Sequence, residues 1–270
     1  MRKSLLIGAA AVVALVGGVS IANAANESST INYNVKSVKG KFNQKGFKPA
    51  KLTFGVNISP GAGEATILPM KVADMRFPSN KVMRFTPKKG LPVCKLTGTA
   101  LSVSPELAYS KCGKSVIGNG EATFQLGQST APAAFNKGTV VVLYGGKSGK
   151  NIKIKFSAYS GDTNAGVYTE GILQPSGRMN IAMPVLTADS SVTSLNLAIP
   201  GTTVNGTWAS GDPYSLRAGL DKGFVKVKCR ANQTLKFSTG ITLGARNPIS
   251  GVPYGPETKL NPTSSSKCGR

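Results

Sequence analysis

Histidine is absent from all 270 residues. That absence excludes Ser-His-Asp and Cys-His catalysis, His-ligated zinc and a histidine pH switch. An enzyme built on this chain would need carboxylates, a lysine base or a bound cofactor. Acidic residues are scarce as well, 11 against 33 Lys and Arg, which leaves a formal net charge of +22. Aromatics are few, with a single Trp, and they do not interleave with basic residues as in a base-stacking platform. Nucleic acid is therefore not expected as a specific ligand. Of the four cysteines none forms a CxxC pair, so a zinc ribbon or thioredoxin-like redox site has no support. Beyond the N-terminus no stretch approaches the ~20 apolar residues of a spanning helix. No repeat stands out at a 20–50-residue period.

What is present begins at the N-terminus. Met1-Arg2-Lys3 precedes an apolar run from Leu5 to Ile21, followed by Ala22-Asn23-Ala24. A positive start, a short apolar core and small residues before the cut read as a signal peptide spanning residues 1–24, cleaved near Ala24. The expectation is a secreted protein, extracellular or at the cell surface. Losing Arg2 and Lys3 leaves 31 basic residues against 11 acidic, a net charge of +20. Such a charge points to anionic surroundings, cell-wall or extracellular polymers among them, or serves solubility alone.

Four cysteines in a secreted chain predict two disulfides among three pairings. Joining sequence neighbours favours Cys94–Cys112 and Cys229–Cys268.

Period-two alternation marks the strands. Leu52, Phe54, Val56 and Ile58 alternate with polar or small residues, as do Ile152, Ile154 and Phe156, then Leu195, Leu197 and Ile199, then Val225, Val227 and Cys229. One face of each strand is then buried and the other wet, as in antiparallel sheets. Weaker strand patterns cover 31–38, 66–72, 81–85, 121–126, 139–144, 167–173 and 180–185. Gly- and Pro-rich turns separate them, "SPGAGEA" and "QPSGRMN" for example. The fold expectation is all-β, an antiparallel sandwich or jelly-roll-like domain over 25–246. A sub-boundary near 127–138 would instead give two sandwiches. The single helix expected is short: Ser104 as cap, Pro105 in first place, Glu106 at the positive end of the dipole. Residues 247–270 read as a Pro/Gly/Ser-rich tail that a disulfide through Cys268 tethers. "GNG" at 118–120 reads as a turn into the following strand.

Four kinds of site follow from the residues. The Cys94–Cys112 loop reads as a structural staple, because no further ligands accompany its thiols. "CGKSVIGNG" lacks the GxxxxGK[ST] spacing and follows a helix, so it is no phosphate loop. Lysine rows form the candidate anion-binding set: Lys147, Lys150, Lys153 and Lys155 on one strand and its turn, with Lys226, Lys228 and Arg230 on another. Lys36 to Lys51 forms a third basic group. The alternative for all of them is a solvated face that discourages edge pairing. Trp208 and Tyr214, in a polar Gly-rich loop, are candidate glycan contacts, although burial of Trp208 as a loop anchor explains it too. Glu64, Asp74, Asp162 and Glu170 are the carboxylates from which a hydrolytic pair could come. Asp162-x-Asn164 is a fragment of a calcium loop without its third acidic ligand, better read as a turn. No cofactor is expected.

The segments "MRFPSNKVMRFTPKKGLPVCKL", "YSKCGKSVIGNGEATF" and "GFVKVKCRANQTLKFST" resemble uncharacterised secreted β-rich proteins of soil actinobacteria. These share a signal peptide, a first Cys pair closing a small loop and a later Cys near the C-terminal strands. The resemblance implies an extracellular β-rich domain and supplies no catalytic residues. Three functional expectations remain: a non-catalytic surface or envelope protein binding anionic polymers through its lysine faces, a purely structural surface protein, and a carboxylate-dependent glycan hydrolase.

Overall fold

The computed structural model describes residues 27–62, 66–101, 105–126, 134–161, 165–184, 191–207, 213–216, 222–247 and 252–268. In chain order the elements are β1 (Ser28–Ser37), β2 (Lys48–Ser59), β3 (Met70–Arg76), β4 (Met83–Phe85), α1 (Gly98–Leu101), α2 (Pro105–Cys112), a 3-10 turn (Gly113–Ser115) and β5 (Val116–Leu126). There follow β6 (Ala134–Ser148), β7 (Asn151–Ser160), β8 (Ala165–Leu173), β9 (Arg178–Ala182), β10 (Ser191–Ile199), β11 (Val204–Thr207), β12 (Pro213–Leu216) and β13 (Val225–Val227). The chain closes with β14 (Thr234–Arg246), β15 (Pro253–Leu260) and β16 (Thr263–Lys267).

The all-β expectation holds. Fourteen strands share one antiparallel sheet, and β11–β12 form a separate hairpin. The strands do not divide into the two separate sheets expected of a sandwich. The sheet curls in the order β1-β2-β10-β5-β6-β7-β8-β9-β3-β14-β16, and its two ends meet. At the meeting point the edge N–H groups of Tyr33 and Val35 donate to Ser264 Oγ and Ser266 Oγ, at 3.1 and 3.0 Å. Serines two residues apart point the same way along a strand. Their hydroxyls therefore satisfy successive edge amides where a backbone ladder is missing, and the sheet becomes a nearly closed barrel. Closure removes the open edges that invite aggregation. Residues 127–133 lie outside the described residues, but β5 and β6 pair with each other up to that point, Leu126 opposite Ala134. The same sheet thus runs through the region of the expected sub-boundary.

Alternation turns the apolar side of each strand into the barrel. A ring this wide needs large side chains to fill it. Tyr33 stacks on Phe237 at 4.4 Å and on Phe54 at 5.2 Å between ring centroids, with Phe77 edge-on at 6.1 Å. Burial raises the Tyr33 phenol pKa, and its hydroxyl finds Thr239 Oγ1 at 3.1 Å. Among the described residues no helix is long and apolar enough to cross a membrane.

A second, smaller core lies outside the barrel. Leu101, Ala108, Cys94 and Cys112 cover the outer side of Val116, Val141 and Leu143, flanked by Tyr109 and Tyr168. The Cys94–Cys112 disulfide closes this cap, and Cys229–Cys268 pins the C-terminus. α2 starts at Pro105, as expected; Ser104 lies outside the described residues. The additional turn α1 carries no cap or periodicity that would announce it.

Two expectations are corrected. Residues 247–270 are not an appended tail, since β15 and β16 occupy successive halves of the β14 edge. "GNG" is not a turn but part of β5. Its glycines permit a close strand approach: a Cβ on Gly120 would lie 1.8 Å from the Asn196 backbone oxygen, and one on Gly118 2.4 Å from that of Ala198. Between them Asn119 is buried and clamps Thr202, donating to its carbonyl at 2.6 Å and accepting from its N–H at 3.0 Å.

Candidate functional site, a basic barrel end

In an antiparallel barrel, successive connections leave at opposite ends. One end gathers 38–47, 77–97, 147–150, 174–177, 200–203 and 222–233. Together these segments hold 14 Lys or Arg and no Asp or Glu. In sequence, the segments joining the opposite strand ends, 60–69, 127–133, 161–164 and 183–190, contain Glu64, Asp162 and Asp189 and no basic residue. The positive charge is thus sorted along the barrel axis.

The centre of the basic end is the ladder β2–β13–β4. Lys226 lies between Pro49 on one side and Arg84 on the other. Just before β2, the Phe47 ring carries two cations: the Arg84 guanidinium 4.1 Å from its centroid and Lys228 Nζ at 5.4 Å. The ring's negative face attracts both and holds them near each other despite their like charge. Arg84 Nε also donates to Asn80 O at 2.8 Å, and Lys48 Nζ to Lys41 O at 2.7 Å. Among the described residues, Lys48, Arg84, Lys150, Lys226 and Lys228 have no carboxylate within 4.0 Å.

The two lysine rows meet here. Arg84 and Lys150 line one groove of about 220 Å³ together with Asn80 and Gln174. Lys147 and Lys150 are exposed in the β6–β7 turn, Arg230 is exposed, and Lys226 and Lys228 are half-buried. Sequence reasoning missed Phe47 and Arg84. Their signal was faint, a lone aromatic in a basic loop and an arginine in a three-residue strand.

Lys155 is corrected. Strand alternation places it beside Lys153 on an open face, yet it is 3 % exposed. The cap covers it. Lys155 Nζ donates to Leu96 O at 2.5 Å, and the next outward residue, Ser157, donates to Leu101 O at 2.5 Å. Glu170 Oε1 lies 3.7 Å from Lys155 Nζ, and Glu170 Oε2 lies 2.8 Å from Lys153 Nζ. Tyr168 OH also donates to Glu170. Burial lowers the Lys155 pKa against the opposing pull of Glu170. Burial also pushes the Glu170 carboxyl up, but hydrogen bonds from Lys153 and Tyr168 and the two lysine charges outweigh it, and the net shift is downward. The Tyr168 phenol is raised by burial and by the adjacent carboxylate. This cluster sits beneath a disulfide-closed cover, and what it does there is fasten the cap to the sheet.

The remaining candidates separate. Trp208 lies outside the described residues, as does the Tyr214 side chain on β12. Of the four carboxylates, Glu64 and Asp162 lie outside the described residues. Asp74 is bound by Arg178 at 2.9 Å and Arg76 at 3.7 Å, and Glu170 by the two lysines. No family model, curated protein or solved structure matches the chain.

Proposed function

We propose that the protein is a secreted, non-catalytic module that holds an anionic polymer of the cell envelope or extracellular space on its basic barrel end. The observation that carries this reading is the sorting of charge: 14 basic residues and no acid in the segments at one end. Gathering like charges opposes folding through their mutual repulsion. A polyanion lying across them relieves that repulsion, and Arg84 and Lys228 stand ready on Phe47. The leader-like N-terminus and the two disulfides suit an oxidising compartment outside the cytoplasm, and with them a place among the secreted actinobacterial proteins that the cysteine segments resemble. Hydrolysis is the weaker reading, because Asp74 and Glu170 are each neutralised by cations.

The test is binding of the mature chain to an immobilised acidic polymer across a salt series. Affinity should fall steeply as salt rises, since exposed charges are screened within ~8 Å at 0.15 M. Replacing Arg84, Lys226 and Lys228 by Gln removes three charges, each contributing about 0.5–1 kcal/mol at such exposure. The triple variant should bind roughly ten- to a hundredfold more weakly, with an unchanged melting temperature. Salt-independent binding, or a variant that binds like the parent, would sink the proposal.

A further inference from the structure

On the outer face of the barrel, β1, β2, β10 and β5 align four residues in one row. Asn32 is opposite Gly55, Gly55 opposite Asn196, and Asn196 opposite Glu121. The row dips at Gly55, which has no side chain to fill it; a Cβ there would come within 2.6 Å of Asn196 Oδ1. The dip belongs to a groove of about 420 Å³ whose polar lining is Asn32, Lys51, Thr53, Asn196, Thr202 and Glu121. That volume falls in the range of small-ligand clefts. Asn32 and Asn196 are exposed and make no hydrogen bond to other described residues. Lys51 stands on the side of the basic end, directly opposite the exposed Lys36 of β1.

We infer that this groove binds a hydroxyl-bearing sugar ring, so that the polymer of the basic end is an acidic polysaccharide. The inference rests on the function proposed for that end and names the class of polymer. Each free carboxamide offers both a donor and an acceptor, which matches neighbouring ring hydroxyls, and the Glu121 carboxylate accepts further hydroxyl hydrogens. Lys51 and Lys36 take the carboxylate of an adjoining unit. A polyphosphate chain brings no hydroxyl donor to the two asparagines and meets the like charge of Glu121. The groove therefore discriminates between polyanions that the lysines alone would treat alike.

The experiment compares oligogalacturonate with inorganic polyphosphate of matched length, using the mature chain and its Asn32→Ala/Asn196→Ala variant. The double substitution should weaken oligogalacturonate binding about tenfold, the loss expected from removing a few hydrogen bonds. Polyphosphate binding should not change. In the unsubstituted protein the side-chain amide resonances of Asn32 and Asn196 should shift with oligogalacturonate and stay in place with polyphosphate. Equal oligogalacturonate affinity for parent and variant, or unmoved amide resonances at saturation, overturns the inference while leaving the basic end as a polyanion site. Failure of both polymers to bind removes that reading and the inference with it.

Discussion

Substituting Glu170 by Gln tests whether Lys155 is a charged group buried beneath the cap. Glu170 is the carboxylate shared by Lys153 and Lys155, at 2.8 and 3.7 Å. Lys153 is about a third exposed, so its loss of a partner matters little, at most about 1 kcal/mol. The Lys155 side chain is 4 % exposed. Its ammonium would be left with a carbonyl and the Tyr168 ring, 5.8 Å away, and with Lys153 as an unscreened neighbour. Breaking a buried pair by removing one partner costs about 3–5 kcal/mol. Because Glu170 itself is partly solvated, about 3 kcal/mol is the expected loss. Lys155→Met behaves differently, since Lys153 continues to neutralise Glu170 and only the bond to Leu96 O is lost, about 1–2 kcal/mol. Adding Lys155→Met to Glu170→Gln should therefore recover stability, because the orphaned charge disappears while the stem still fills its space.

Urea unfolding of the four proteins closes this cycle. The same pair sets two pH limits. Glu170 has a depressed pKa in the fold, so its contribution is complete above its ordinary value of 4.5 and is lost as pH falls below that value. Lys155, a base whose pKa is also lowered, binds its proton more weakly folded than unfolded. Stability should therefore rise as pH climbs toward the ordinary lysine value of 10.5. Glu170→Gln should steepen the alkaline rise and abolish this share of the acid loss. A Glu170→Gln protein within 0.5 kcal/mol of the parent, or a double variant no more stable than Glu170→Gln alone, would refute the burial of a charged Lys155.

Replacing Cys94 and Cys112 by Ala opens a loop with a sequence separation of 18, and the chain-entropy relation puts the loss at about 3 kcal/mol. Calorimetry should show it, and hydrogen exchange should speed up in the cap before the barrel; uniform destabilisation of both would contradict a separate outer core. Gly120→Ala drives a methyl into the backbone of β10 and should cost about 3 kcal/mol, whereas Gly113→Ala meets nothing within 4 Å and should leave the urea midpoint unchanged. Equal effects at the two glycines would show that β5 and β10 are not so close.

Most strands were legible because alternation depends on one face being wet and one dry. Leu52 to Ile58 and Val225 to Val227 obey this pattern, and the structure buries the faces it predicts. The pattern misleads where both faces are covered. β7 is apolar inward at Ile152, Ile154 and Phe156, and Lys155 and Ser157 still look solvated. No local feature shows that Leu96 and Leu101, more than fifty residues earlier, will lie over them. The composition of "GNG" fits a turn equally well. Only the partner strand, whose carbonyls need the missing Cβ atoms, explains those glycines. Residues 247–270 show the same limit: their Pro, Gly and Ser content suits a free tail, but Ser264 and Ser266 are the residues that close the barrel.

The basic site has a different relation to the sequence. Each lysine group was visible, but its neighbours were not, since Lys48, Arg84, Lys150 and Lys226 come from four distant segments. What unites them is the connectivity of an antiparallel barrel, which returns alternate connections to the same end. The inserted strands β4 and β13 then bridge to β2 and set Arg84 beside Lys226. A chain with random placement of 31 mature basic residues would spread them over both ends. Here the connections at one end hold no acid, and those joining the opposite strand ends hold no base. Net charge for solubility would be served equally well by either distribution. Segregation along the axis has no such use, and it builds a positive potential over one end that falls off within ~8 Å at physiological salt. A field of that reach acts on a polymer laid across the barrel end, which meets many of these cations at once. That makes the distribution of the charge, more than its size, the argument for a polyanionic partner.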